Sequence, residues 1–196
     1  MPPAVYFTIL NGIERQRQRL VVKNVILQCI KFVSEQPDNT FEIAAEPSGR
    51  PIVVGRPDIF VSISHTKTSL ACAASMAGPM GIDLETARAG RALDAMAAFA
   101  FGPAEAYRAA EEGPGGFYRI WTLREAISKA EGLGLAQVTD RQDRVDTGPA
   151  IGNWRWQDWH LTHRIPSPGM HVALAVRAPQ IETVEWYLLP GEHATQ

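Results

Sequence analysis

Cysteine is scarce in this chain and no long apolar run occurs. Cys29 and Cys72 are the only two thiols in 196 residues. Two are too few for a disulfide framework. Neither sits in Cys-x-x-Cys spacing, and there is no His-Glu-x-x-His, so the common zinc sites are excluded. Both lie among apolar residues and read as small buried thiols; a disulfide between them is the less favoured alternative. No apolar stretch reaches the roughly 18 residues that span a bilayer. Met1-Pro2-Pro3-Ala4-Val5-Tyr6-Phe7 lacks a charged segment followed by an apolar one, so no signal peptide is read and a cytoplasmic location is expected. Neither sign of charge dominates: 19 Lys and Arg stand against 21 Asp and Glu, which gives no sign of a nucleic-acid binder. A Walker loop, a Gly-x-Gly-x-x-Gly fingerprint and a short-period repeat are all missing.

What is present is an ordinary globular balance, 45% apolar and 20% charged, long enough for one domain or two small halves with a real core. Val21, Val25, Cys29 and Phe32 recur at helical spacing and predict a helix over about 11–35, ended by Pro37-Asp38-Asn39. Two Gly-Arg-Pro turns follow, at 49–51 and 55–57. Residues 59–64 and 69–74 read as strands joined by a turn at 65–68, and a third strand carries Gly81–Glu85. Helical stretches are expected at 93–101, 103–110 and 117–133, with a Gly/Pro-rich loop over 111–116 and a glycine stop at Gly132-Leu133-Gly134. A polar, mobile segment is expected over 139–149, then strands at 154–161, 172–176 and 182–188. Strands without regular β-α alternation favour an α+β fold over a doubly wound sheet. The division falls into an N-terminal half, 1–78, and a C-terminal half, 79–196, with the acidic strand at their junction.

Three carboxylates stand out. Alternation in a strand puts Asp83 and Glu85 on one face. Spacing of four on a helix puts Trp121, Glu125 and Lys129 on one stripe. Taken alone, an Asp-x-Glu strand is usually a solvated face, and Glu125 with Lys129 is a surface pair worth a few tenths of a kcal/mol. The apolar flanks Ile82, Leu84, Ile120 and Ile127 argue otherwise, because like charges on a half-covered face call for a cation between them. Magnesium, bound by a few carboxylates and phosphate oxygens, suits that place. Ser64-His65 at a strand end has no nucleophile elbow around it; a hydroxyl, an imidazole and Lys67 suit a phosphate oxygen better. Arg50 in its turn is either structural or a bidentate phosphate contact. The early cations Arg15, Arg17, Arg19 and Lys23 read first as a solvated face. Trp154, Trp156 and Trp159 read as strand packing residues.

In order, Gly49-Arg50-Pro51, Phe60–Thr66, Gly81-Ile82-Asp83-Leu84-Glu85 and Trp121–Lys129 resemble the 4′-phosphopantetheinyl transferase superfamily, its surfactin-type branch, over about residues 49–135. The resemblance implies two similar α+β halves in pseudo-twofold relation, with the active site at their junction. It also implies a magnesium-dependent holo-carrier-protein synthase: coenzyme A gives its phosphopantetheine arm to a carrier serine and leaves as adenosine 3′,5′-bisphosphate. Asp83, Glu85 and Glu125 then match the magnesium positions, with Glu125 also taking the serine proton. Lys129 matches the lysine at the pyrophosphate, and Ser64, His65 and Arg50 match contacts to the 3′-phosphate side of coenzyme A. One or more of Arg15, Arg17 and Arg19 would touch the nucleotide. Arg124 stands where the family usually has Lys, and is expected at the cofactor. The N-terminal portion is short for this branch. The partners implied are coenzyme A and an apo acyl or peptidyl carrier protein, acidic around its serine, from fatty acid, polyketide or nonribosomal peptide synthesis. Arg88, Arg91 or the basic N-terminal helix would meet it, with no nucleic acid, no membrane and a monomeric chain. The alternative is a degenerate relative that binds coenzyme A or a carrier without transfer.

Overall fold

The computed structural model describes residues 1–11, 15–37, 40–133, 142–145, 148–149, 151–190 and 192–193. In chain order the elements are β1 (Ala4–Asn11), α1 (Arg15–Ser34), β2 (Ile43–Ala45), β3 (Pro51–Val53), β4 (Phe60–His65), β5 (Ser69–Ser75), β6 (Met80–Thr86), α2 (Leu93–Ala100), α3 (Pro103–Glu131), β7 (Gly152–Trp156), β8 (Trp159–Arg164), β9 (Met170–Arg177), β10 (Glu185–Leu188) and β11 (Glu192–His193). The architecture is mixed α/β. One sheet runs β10-β1-β5-β4, with β11 also on β1; a second runs β6-β9-β8-β7; β2 and β3 pair separately.

Period-two alternation sorts the core into layers. Leu70, Cys72 and Ala74 of β5 face α1, where they meet Val25, Ile26, Cys29 and Ile30. Ala71 and Ala73 face the other way and pack with Ile82 and Leu84 of β6 and Val172 and Leu174 of β9. The opposite face of that second sheet, with Leu161, Ala173 and Ala175, is covered by Phe117, Ile120, Leu123 and Ile127 of α3. The order is helix, sheet, sheet, helix. Every residue of β5 is buried, because it is covered on both faces. Its small alanines let the two sheets close on one another. Cys29 and Cys72 are buried free thiols, as expected. The Cys29 Sγ lies 3.5 Å from the Cys72 carbonyl oxygen. Burial pushes both thiols well up from their ordinary range.

Several boundaries differ from the expectation. The first strand, β1, was not foreseen, and α1 begins at Arg15. The turn at Gly49 closes a small hairpin of β2 and β3. The expected loop at 111–116 is instead a kink inside α3, taken up at Gly113 with φ of 65° ahead of Pro114. The single strand expected over 154–161 is a hairpin, β7 with β8, turned through Gln157. The glycine stop of α3 is in place: Gly132 is left-handed, with φ of 71°. Gly134, Asp38 and Asn39 lie outside the described residues, as do residues 139–141, 146 and 147 of the expected polar segment. The two expected halves, 1–78 and 79–196, are joined by one exchange of strands. Strand β10 returns to pair with β1, Val5 opposite Trp186, so the C-terminus completes the first sheet. Among the described residues no helix is long and apolar enough to cross a membrane.

Candidate active site

The site forms where the two sheets meet edge to face. Strand β4 offers its serine face to the free edge of β6. The Ser62 Oγ accepts the Ile82 N–H at 3.0 Å and the Ser64 Oγ accepts the Leu84 N–H at 3.1 Å. Hydroxyls thus satisfy main-chain donors that a neighbouring strand would otherwise pair. On the other side β6 lies hard against α3. A Cβ at Gly81 would overlap the Ala126 carbonyl oxygen and crowd the Ala130 nitrogen. Only glycine permits this approach, and it sets Asp83 beside the next turns of the helix.

Ile63, Ser64, His65, Asp83, Leu84, Glu85, Trp121, Glu125 and Lys129 line one open cavity of about 330 Å³. The acids expected to converge therefore share one space with Ser64, His65 and Lys129. Asp83 is buried; its Oδ1 accepts the Ser64 hydroxyl at 2.9 Å and pairs with the Lys129 Nζ at 2.7 Å. Lys129 also donates to the Ile82 carbonyl at 3.1 Å. The Asp83 Oδ2 is buried without a hydrogen-bond partner. Glu85 pairs with Arg91 at 3.3 Å. Burial, and then the Asp83 charge, raise the Glu85 carboxyl above its ordinary range. Glu125 is buried as well. Burial first, then the charge of Asp83, push its carboxyl up to about 7. Among the described residues no group of three His, Cys, Asp or Glu side chains is arranged to hold a metal ion as it stands. Cations of the chain itself, Lys129 and Arg91, sit on two of the three acids.

The other expected contacts divide. Arg50 lies next to the cavity. It lines an adjoining recess of about 220 Å³ with Ser62, Ile63, Gly132 and Lys129, so Lys129 stands between the two spaces. Arg124 is a correction. It is fully buried, and its guanidinium donates to Glu105 Oε2 at 2.6 Å and to the Gln142 carbonyl at 2.7 Å. Glu105 in turn accepts the main-chain N–H groups of Gly102, Arg144 and Val145, so this pair ties the chain after α3 to the start of that helix. Arg124 is a structural cation here and lines no part of the cavity. Arg17 and Arg19 are exposed on α1 and are not among the cavity's lining residues, while the Arg15 side chain lies outside the described residues. Sequence reasoning missed Ser62, whose spacing of two from Ser64 was a usable signal. It also missed Tyr118 as the acceptor of the Arg88 N–H, and Arg91 as the partner of Glu85.

The part of the chain that holds these acids matches a known family. Residues 79–174 match the 4′-phosphopantetheinyl transferase superfamily. The matched segment is just under half of the chain and includes Asp83, Glu85, Glu125 and Lys129, while Arg50, Ser64 and His65 precede it. The chain is also 29% identical over 147 residues to the 4′-phosphopantetheinyl transferase HetI of Nostoc sp. (strain PCC 7120 / SAG 25.82 / UTEX 2576). That likeness covers 67% of this chain and 58% of the relative, so the chain spans little more than half of the curated protein it matches. The matched segment thus contains the strand β6, the kinked helix α3 and most of β9, the elements that carry and back the acidic cavity.

Proposed function

We propose that the chain transfers the 4′-phosphopantetheine arm of coenzyme A to a serine hydroxyl of an apo acyl or peptidyl carrier protein, releasing adenosine 3′,5′-bisphosphate. The observation that carries this reading is the single cavity in which Asp83, Glu85 and Glu125 meet Lys129, Ser64 and His65. The two sheet-and-helix units are then the two halves of the transferase fold, with the site at their junction. The chain acts as a monomer on this reading.

The three carboxylates are assigned to a magnesium ion. Their chemistry fits one: all donors are hard oxygens, Asp83 Oδ2 is a buried acceptor without a partner, and burial and the Asp83 charge disfavour the Glu125 carboxylate until a cation offsets them. When bound, such an ion neutralises charge on the pyrophosphate as its bond breaks. The chain's own groups do the rest. Ser64, His65 and Arg50 hold the 3′-phosphate side of the nucleotide, and Lys129 brings its ammonium to the pyrophosphate. The carrier's serine oxygen attacks the phosphorus of the pantetheine arm. The bond to the bridging oxygen breaks, and that oxygen leaves on the adenosine bisphosphate. Glu125, within the same cavity, accepts the serine proton. Arg88, exposed beside the cavity, is placed for an acidic carrier surface.

Incubation of the chain with coenzyme A, Mg²⁺ and an apo carrier should add the mass of one phosphopantetheine group to the carrier, seen by intact-protein mass spectrometry. EDTA or Glu125→Ala should slow the gain on the order of 10²-fold or more. Coenzyme A binding that ignores metal, beside a carrier that never gains mass, would replace transfer with simple binding.

A further inference from the structure

The reaction just described leaves Arg91 without a task, yet the fold holds it with care. Gly90, with φ of 79°, turns the chain after β6 so that Arg91 comes back over the strand it left. The Arg91 Nη1 sits 3.3 Å from Glu85 Oε2, and its guanidinium carbon lies 5.8 Å from the centre of the Tyr118 ring. Tyr118 is itself fixed. It is 1% exposed, stacks on His171, meets Phe117 edge-on, and its hydroxyl accepts the Arg88 N–H at 3.1 Å. Residues 88–91 are therefore pinned to α3 at one end and to Glu85 at the other. The result is one assigned metal carboxylate already neutralised by a cation from the chain. Lys129 does the same for Asp83, but Lys129 has the pyrophosphate to meet.

We propose that Arg91 is a resident counter-ion, seated on Tyr118, that occupies Glu85 until a divalent cation displaces it. The inference rests on the magnesium reading above and deepens it, since it makes a residue outside the ligand set govern how readily the site loads. The physical case is short. A carboxylate oxygen held by a guanidinium must give up that pair before it can face a metal. A fixed positive charge this near also repels an incoming divalent ion, the more so at a half-buried site. Arg91 keeps Glu85 from standing as an uncompensated anion in the metal-free chain, and its cost falls on metal affinity.

Binding of Mn²⁺ to the full chain, followed through the electron paramagnetic resonance signal of the free ion, tests this without any turnover. Arg91→Met keeps the stem over Tyr118 and removes the charge; its dissociation constant should be roughly three- to tenfold lower than the parent's, the scale of one partly exposed ion pair. Arg91→Lys restores the cation and should bring the constant back to within about twofold of the parent. The Arg91 side chain is 31% exposed and lies outside the core, and matched thermal melts verify that both variants fold. Arg91→Met binding Mn²⁺ no better than the parent, or worse, overturns the counter-ion while leaving the metal site standing. A parent chain that binds no Mn²⁺ at a millimolar concentration removes the metal reading and this inference together.

Discussion

Glu125 carries the largest electrostatic burden in the cavity. Its carboxyl is pushed up to about 7 from an ordinary value of 4.5, by burial first and then by Asp83. The folded chain therefore holds a proton between pH 4.5 and 7 that the unfolded chain has already lost. Stability contributed by this group falls as pH rises through that window, and the penalty is complete above it. Glu125→Gln removes the charge and nearly keeps the shape. In EDTA it should stabilise the chain by about 1–3 kcal/mol at pH 8 and by little at pH 5. Urea unfolding at each pH measures the gap, and a gap that stays constant would contradict the burial of the charge. His171 works in the opposite sense. Burial, then the neighbouring His163, lower it to about 4, so its contribution is lost as pH falls from 6.5 toward 4. Comparing parent and variant at the same pH cancels that term. Ser64 shows how much one hydroxyl does here: it donates to Asp83 and accepts from Leu84, aiming the carboxylate and closing the seam at once.

At the scale of elements, the site is a strand pressed on a helix. Gly81 is the contact point, and Gly81→Ala forces β6 away from the Ala126 carbonyl oxygen. It should cost about 2–3 kcal/mol in urea unfolding and depress carrier modification as well, since Asp83 moves with the strand. An unchanged midpoint would show that the helix yields freely. The same pair of elements explains what could be read from sequence. Alternation placed Asp83 and Glu85 together, and a step of four placed Trp121, Glu125 and Lys129 together, because both rules are local. Arg124 misled for an equally local reason. Adjacent helix positions diverge by about 100°, so the neighbour of Glu125 points elsewhere, into the Glu105 pair. The kink at Gly113 looked like a loop because glycine and proline punctuate both. The hairpin through Gln157 looked like one strand because Gln157-Asp158 is not a strong turn pair and Gln157 takes its positive φ without being glycine.

At the scale of the whole molecule, the cavity depends on contacts between parts far apart in sequence. Strand β10 joins β1 across more than 170 positions, and the serines of β4 receive β6 without a backbone ladder. Nothing in local periodicity announces either. Strand β1 was missed although Val5, Tyr6 and Phe7 are good strand formers, because its partners β5 and β10 supply most of the reason for it. The layered order nonetheless follows from small residues: Ala71 and Ala73 let the sheets approach, and the approach sets the seam where the acids gather. The central claim is that these acids hold one divalent ion against the pyrophosphate of coenzyme A. A crystal grown with coenzyme A and Mn²⁺, and measured for anomalous scattering, tests it most directly. The account predicts one strong peak in the cavity, touching the carboxylates of Asp83, Glu85 and Glu125 and the pyrophosphate, with Arg91 turned away from Glu85. A pyrophosphate bound elsewhere, or a peak that none of the three acids touches, would contradict it.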